Sequence, residues 1–263
     1  MPLQAILFDL DDTLIVDEAI SKSAMEKTAA LAGRLHGSDV ARFLADARRL
    51  SVLLWRGNPC LGYCAETGIT AEECLWGEFF GESPDLVSLR AWAENFRLTL
   101  FDAVLREQGL SGDEEVLALE FSASRRRLQR LMPDAKETLA RLKPAYKIGL
   151  LTNGAPDLQR EKIAASGLAR AFDAIAISGE HLIGKPKPEI FHILLRELGV
   201  SADAAAMVGN SLARDIVGAR NAGLARAVWL KVPGSEEYAE VIPDDTISGL
   251  HELPALFLGP ANP

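Results

Sequence analysis

Ala5-Ile6-Leu7-Phe8-Asp9-Leu10-Asp11-Asp12-Thr13 is the stretch that decides the fold. An apolar run this short, ending in polar turn residues, predicts a strand buried on both faces. Asp9 and Asp11 stand two residues apart where that strand gives way to a turn, so both carboxylates can project into one pocket. Such a pair can hold a divalent cation. One member can also attack an electrophile while the other moves a proton. Taken alone, an Asp pair in a loop is as well explained by turn chemistry.

Downstream of the acidic loop, residues 17–131 carry a helical rhythm. Ile20, Ala24, Thr28, Leu31 and Leu35 recur at three- and four-residue steps, as do Val40, Phe43, Leu44, Ala47 and Leu54. Gly57-Asn58-Pro59, Glu82-Ser83-Pro84 and Ser111-Gly112-Asp113 divide the region into separate helices, and no strand is expected inside it. After Pro133 the pattern changes. Helices over Ala135–Leu142, Leu158–Ser166, Pro188–Leu198 and Ile216–Asn221 alternate with apolar runs at Lys147–Leu151, Ala174–Ile177, Ala204–Val208 and Arg226–Leu230. That alternation predicts an α/β fold, a doubly wound (Rossmann-like) parallel sheet covered on both faces. Residues 1–16 and 132–263 would form this core domain. Residues 17–131 would be an inserted all-helical cap domain at the mouth of the crevice, able to exclude water and select substrate. A short polar loop is expected near Ser235-Glu236-Glu237.

Bulk properties narrow the function. The chain has 263 residues and a net charge of −9, which argues against nucleic acid or an anionic membrane as the main partner. There is no signal-peptide pattern and no apolar stretch of membrane-spanning length, so the cytoplasm is the expected location. Cys60, Cys64 and Cys74 are too few for a disulfide framework and lack a nearby histidine for zinc, so structural thiols are expected.

Chemistry-bearing residues fall at the carboxyl ends of the predicted strands, where doubly wound sheets bind ligands. Asp9 and Asp11 come first. Thr152-Asn153-Gly154 follows the second strand, Gly184-Lys185-Pro186-Lys187-Pro188 the third, and Gly209-Asn210-Ser211 with Asp215 the fourth. A carboxylate can attack phosphorus, a hydroxyl and backbone N–H groups can hold phosphate oxygens, and a lysine can neutralise charge. Asn210 and Asp215 supply oxygens suited to a hard cation. Phosphoryl transfer needs mainly positioning and charge stabilisation. Singly, each motif also fits a turn, a rigid loop or a helix cap. Their conjunction, in order and each at a strand end, is what turn chemistry does not produce.

On these motifs the sequence resembles the haloacid-dehalogenase-like hydrolase superfamily, in its phosphatase branch with a helical cap after the first core strand. The matching segments are Asp9-Leu10-Asp11-Asp12-Thr13-Leu14, Leu151-Thr152-Asn153-Gly154, Gly184-Lys185-Pro186-Lys187-Pro188-Glu189-Ile190-Phe191 and Val208-Gly209-Asn210-Ser211-Leu212-Ala213-Arg214-Asp215. The resemblance implies a phosphatase acting on a small phosphomonoester through an aspartyl phosphate on Asp9. Asp11 would protonate the leaving oxygen and then activate water. Thr152, Asn153 and Lys185 would hold the phosphoryl group. Mg²⁺ would sit on Asp9, the backbone carbonyl of Asp11, Asn210 and Asp215. Asn210 departs from the family, which commonly has Asp there, so weaker metal binding is expected.

Other readings stay open at this stage. The same fold could serve a phosphoglucomutase-like isomerase, or a binding or regulatory protein with weak turnover. A dehalogenase fits less well because Asp11 supplies a second acid. The partner is expected to be a small phosphorylated metabolite whose identity the sequence does not give, and the chain to be a monomer or homodimer. Leu54-Trp55-Arg56-Gly57-Asn58 could touch a substrate, although a half-buried tryptophan beside a solvated arginine is the simpler expectation. Arg125-Arg126-Arg127 is expected to be a solvated helix face. The histidines are assigned no role.

Overall fold

The computed structural model describes residues 2–232 and 241–259; the polar loop near Ser235-Glu236-Glu237 lies outside them. Six strands form one sheet: β1 (Ala5–Phe8), β2 (Lys147–Thr152), β3 (Ala174–Ile177), β4 (Ala205–Gly209), β5 (Arg226–Leu230) and β6 (Asp245–Ile247). All pair in parallel, in the order β3-β2-β1-β4-β5-β6. The chain winds one way from β1 through β2 to β3, then returns to the other side of β1 for β4 to β6. This is the doubly wound core that the strand–helix alternation predicts.

Between β1 and β2 lie α1 (Glu18–His36), α2 (Val40–Trp55), α3 (Leu61–Thr67), α4 (Pro84–Arg106) and α5 (Glu114–Arg127), with a single 3₁₀ turn at Glu73–Leu75. Among the described residues this segment contains no named strand. α2 and α4 start where a side chain satisfies a first-turn N–H group. Asp39 caps α2 by accepting from Arg42 N at 2.8 Å, and Ser83 caps α4 by accepting from Leu86 N at 3.3 Å, with Pro84 at the first helical position. The core part of the chain adds α6 (Ala135–Leu142), α7 (Pro156–Ser166), α8 (Ser178–His181), α9 (Pro188–Leu198), α10 (Val217–Asn221) and α11 (Leu253–Leu258).

Apolar burial follows the two-residue period of β1. Ile6 and Phe8 pack with Leu139 and Leu142 of α6 and Ile163 of α7. Ala5 and Leu7 face the opposite layer, with Ile190, Phe191 and Leu194 of α9. A further apolar cluster lies within the inserted helices, built on Phe43, Trp76, Phe79, Phe96, Phe101 and Phe121. Chain entry to and exit from that segment run side by side: Val16 N donates to Arg130 O at 3.0 Å and Met132 N to Leu14 O at 2.9 Å.

Several boundaries differ from expectation. The fourth strand begins one residue later than Ala204, which closes a 3₁₀ turn at Ala202–Ala204. The helix placed at Ile216–Asn221 begins with a wide π-type turn at Leu212–Ile216 and continues as α10. The sequence pattern does not predict α8, β6 or α11. β6 has only three residues, alternates little in polarity, and exists because β5 offers it an edge to pair with.

Candidate active site

Register brings the sequence motifs together. Phe8 pairs with Leu150 on one side and with Val208 on the other, so Asp9, one residue on, emerges beside Leu151 and Gly209. Asp9 N still donates to Val208 O at 3.0 Å, which fixes the backbone at the strand end. Thr152 pairs with Ile177 on β3. One pocket at this edge is lined by Asp9, Asp11, Thr152, Asn153, Lys185 and the loop from Asn210 to Asp215. Asp9, Asp11, Thr152, Asn153, Lys185, Asn210 and Asp215, the site residues expected from the sequence, lie on it.

Lys185 is the electrostatic centre. Its Nζ donates to Asp9 Oδ1 at 2.5 Å and to Leu151 O at 2.9 Å, and it lies 2.7 Å from Asp215 Oδ1. All three side chains are nearly buried, at 2% exposure for Lys185, 10% for Asp9 and 1% for Asp215. Burial by itself would push the Lys185 amine down, but Asp215 and Asp9 outweigh it and hold it above its ordinary value. Burial pushes the Asp9 carboxyl up, with Asp215 adding to the effect, against the pull of Lys185. The other Asp9 oxygen accepts from Thr13 Oγ1 at 3.0 Å. Thr13 Oγ1 in turn accepts from Asn210 N at 3.1 Å, tying the first motif to the fourth.

Asp215 reaches the pocket by folding back on its own loop. Ser211 N donates to Asp215 Oδ2 at 2.9 Å, and Ser211 caps the turn by accepting from Arg214 N at 3.2 Å. Gly209 makes this possible, because a Cβ there would fall 2.2 Å from Asp215 Oδ2. The need for glycine is thus steric, since a side chain would occupy the place of the carboxylate.

Asp11 belongs to a second set of contacts. Lys162 Nζ donates to Asp11 Oδ1 at 3.0 Å and to Oδ2 at 2.9 Å. Gln159 Nε2 donates to Asp11 Oδ2 and to Thr152 Oγ1, both at 3.0 Å. Lys162 also lies 3.1 Å from Asp17 Oδ1 and 4.0 Å from Glu73 Oε1. Burial, reinforced by the charge of Asp17, raises the Asp11 carboxyl to about 6 despite Lys162 and Gln159. Burial likewise raises Glu73 to about 7. Asp12 serves the backbone instead. With φ 55° it turns the chain, and it accepts from Asp17 N at 2.8 Å and Glu18 N at 3.2 Å, where α1 begins.

Sequence reasoning missed Gln159, Lys162, Asp17 and Glu73. The first two carried a signal. They are three residues apart in the helix after Thr152-Asn153-Gly154, hence on one face, where a buried helix should present apolar side chains. Asp17 and Glu73 had none, because they meet Lys162 only through the packing of the inserted helices.

Asn153 uses its side chain locally. Its Nδ2 donates to Lys185 O at 3.0 Å and its Oδ1 accepts from Lys185 N at 2.9 Å, so the amide fixes the loop that carries Lys185. The expectation of a fully solvated arginine run is corrected. Arg125 is 1% exposed, ion-paired with Asp17, donates from Nε to Ser21 Oγ at 2.9 Å, and stacks 4.6 Å from the Trp76 ring. A face of α5 packs on α1, and the paired arginine fills it. Arg126 bonds Glu161, while Arg127 stays largely exposed. Trp55 packs edge-on against Trp92 at 5.6 Å, in keeping with the simpler expectation for it. The three cysteines are buried free thiols.

The donors suit a hard divalent cation. Asp9, Asn210 and Asp215 can each offer a side-chain oxygen, and the Asp9 and Asn210 side chains approach the same Thr13 hydroxyl, at 3.0 and 3.4 Å. Among the described residues no group of three His, Cys, Asp or Glu side chains converges as a metal cage. A cation here would therefore depend on the Asn210 amide and on backbone oxygen beside the carboxylates.

A family model described as haloacid dehalogenase-like hydrolase matches residues 3–223. The chain is 38% identical to the phosphoserine phosphatase of Thermus thermophilus, covering 95% of this chain and 98% of that protein. It is 31% identical to the human N-acylneuraminate-9-phosphatase, covering 97% and 93%. Among solved structures, the HAD hydrolase YfnB of Bacillus subtilis, bound to magnesium, superposes with a TM-score of 0.66 over 98% of this chain and 99% of that one. At 22% identity that likeness concerns the fold. No helix of the described residues is long and apolar enough to cross a membrane.

Proposed function

We propose, since this chain belongs to the haloacid dehalogenase-like hydrolase family, that it hydrolyses a small phosphomonoester through an aspartyl phosphate formed on Asp9. It is a phosphoric monoester hydrolase; the Thermus and human relatives are both phosphatases. The observation that carries the covalent step is the Asp9 carboxylate at the end of β1, in contact with Lys185 at 2.5 Å and sharing its pocket with Asp11 and Thr152.

In this reading Asp9 attacks phosphorus and the bond to the leaving oxygen breaks. The leaving oxygen takes the Asp11 proton. Asp11, then ionised, takes a proton from a water molecule as that water attacks the aspartyl phosphate, which frees Asp9 and inorganic phosphate. Lys185, the Thr152 hydroxyl and nearby N–H groups hold and neutralise the phosphoryl oxygens; Asn153 keeps Lys185 in place. Asp9, the Asp11 carbonyl, Asn210 and Asp215 are the groups that would hold Mg²⁺, which when bound supplies positive charge for the phosphoryl group. Release of inorganic phosphate separates this reaction from that of a mutase. Residues 17–131 act as the cap over a core of residues 1–16 and 132–263. Two contacts support that division: the paired entry and exit segments, and the approach of Glu73 to Lys162. The cap selects the substrate, in line with relatives that share the family and differ in the substrate they are named for.

Two outcomes test the assignment. With Asp11 near 6, its acid form is lost as pH rises through that value. The kcat/KM for an alkyl phosphate should therefore fall above about pH 6, and Asp11→Asn should remove that limb of the profile. A wild-type profile flat between about pH 5 and 8 counts against Asp11. Second, Asn210→Asp restores a formal negative charge, so calorimetric titration should show Mg²⁺ binding about tenfold tighter or more. Unchanged affinity would place Asn210 away from the ion.

A further inference from the structure

We propose that Lys162 and Gln159 are positioning residues that aim the Asp11 carboxyl at the reacting phosphoryl group. The proposal rests on the assignment of Asp11 as the proton-transfer group.

A carboxyl on a loop rotates readily about its terminal torsion. Here three bonds hold Asp11: two from Lys162 at 3.0 and 2.9 Å, and one from Gln159 at 3.0 Å. Both donors come from one face of α7, which begins at Pro156, shortly after β2 ends at Thr152. Gln159 also binds the Thr152 hydroxyl at 3.0 Å, so one amide sets the spacing between Asp11 and a phosphate-facing group.

The Lys162 ammonium is fixed as well. Its side chain is 1% exposed, Asp17 lies 3.1 Å away, Glu73 4.0 Å away, and the Trp76 ring 5.7 Å away. Stability alone accounts poorly for such a group. Burying an ammonium among carboxylates is costly, and apolar packing of the same volume is often as stable. What an apolar side chain could not do is hold both oxygens of Asp11 while leaving its outer surface, 26% of the side chain, open to the pocket.

The test uses p-nitrophenyl phosphate, whose leaving oxygen needs no proton, so Asp9 is phosphorylated without Asp11 while hydrolysis of the intermediate still requires it. In Lys162→Met, a burst of about one nitrophenolate per enzyme should precede a steady rate lowered roughly tenfold to a hundredfold. Acid-quenched protein should carry phosphate on Asp9. Gln159→Leu keeps the charge balance, which makes it the safer variant for folding, and should show the same pattern at about a fivefold loss. Folded variants of both that turn over at the wild-type rate, or that lose burst and steady rate together, overturn the proposal. Asp11→Asn is run beside them. If it alone accumulates the intermediate, the positioning role fails and the proposed function stands. If it turns over normally, the proposed function itself fails.

Discussion

Asp9→Asn should lower phosphate release by roughly four to six powers of ten while leaving the fold in place. The large loss follows from the proposed covalent step: an amide oxygen does not form the acyl phosphate, so residual turnover must come from water and the remaining charges of the pocket. The small structural effect follows from the partners left behind. Lys185 keeps Asp215 at 2.7 Å and Leu151 O at 2.9 Å, and an asparagine oxygen can still accept from Thr13. Urea unfolding should accordingly show a change of no more than about 1–2 kcal/mol. Turnover within tenfold of wild type in purified, folded variant would remove Asp9 from the chemistry.

Lys185→Met should damage both activity and stability. Asp9 and Asp215 share this one ammonium at the bottom of the pocket, and without it two buried carboxylates face each other uncompensated. Removing one member of a buried ion pair costs about 3–5 kcal/mol, a large fraction of the roughly 5–15 kcal/mol that holds a typical domain together. The pH dependence has a definite sign. Asp9 is already raised by burial and by Asp215, and loss of Lys185 removes the group that pulls it down. A carboxylate whose folded value exceeds its unfolded value stabilises the fold below that value and weakens it as pH rises. The deficit of the variant relative to wild type should therefore shrink as pH is lowered. A variant as stable as wild type at neutral pH would show that the ammonium does not offset these carboxylates.

Much of the sheet edge that carries the candidate site was legible because parallel sheets impose a strict local code. Ala5–Phe8, Ala174–Ile177 and Arg226–Leu230 are strands where their apolar runs predict them, since a strand covered on both faces buries most of its side chains. β6 and α11 were not legible: Asp245–Ile247 is polar and short, and it is ordered by the edge of β5. Arg125 misled for the opposite reason. A charge in a basic run is normally solvated, and only the packing of α5 on α1 beside Asp17, Ser21 and Trp76 makes its burial tolerable.

By itself the sequence determined the alternation of strands and helices, and with it the acidic residues and the lysine at the strand ends, because hydrophobic period and turn chemistry are local properties of the chain. The tertiary structure decided the register that sets Asp9 between Leu151 and Gly209, the back-folding of Asp215 that Gly209 permits, and the clamp of Lys162 and Gln159 on Asp11. Those contacts join residues as far as 200 positions apart, Phe8 with Val208. They depend on which layer each helix covers and on water being excluded between them, and no local pattern encodes either.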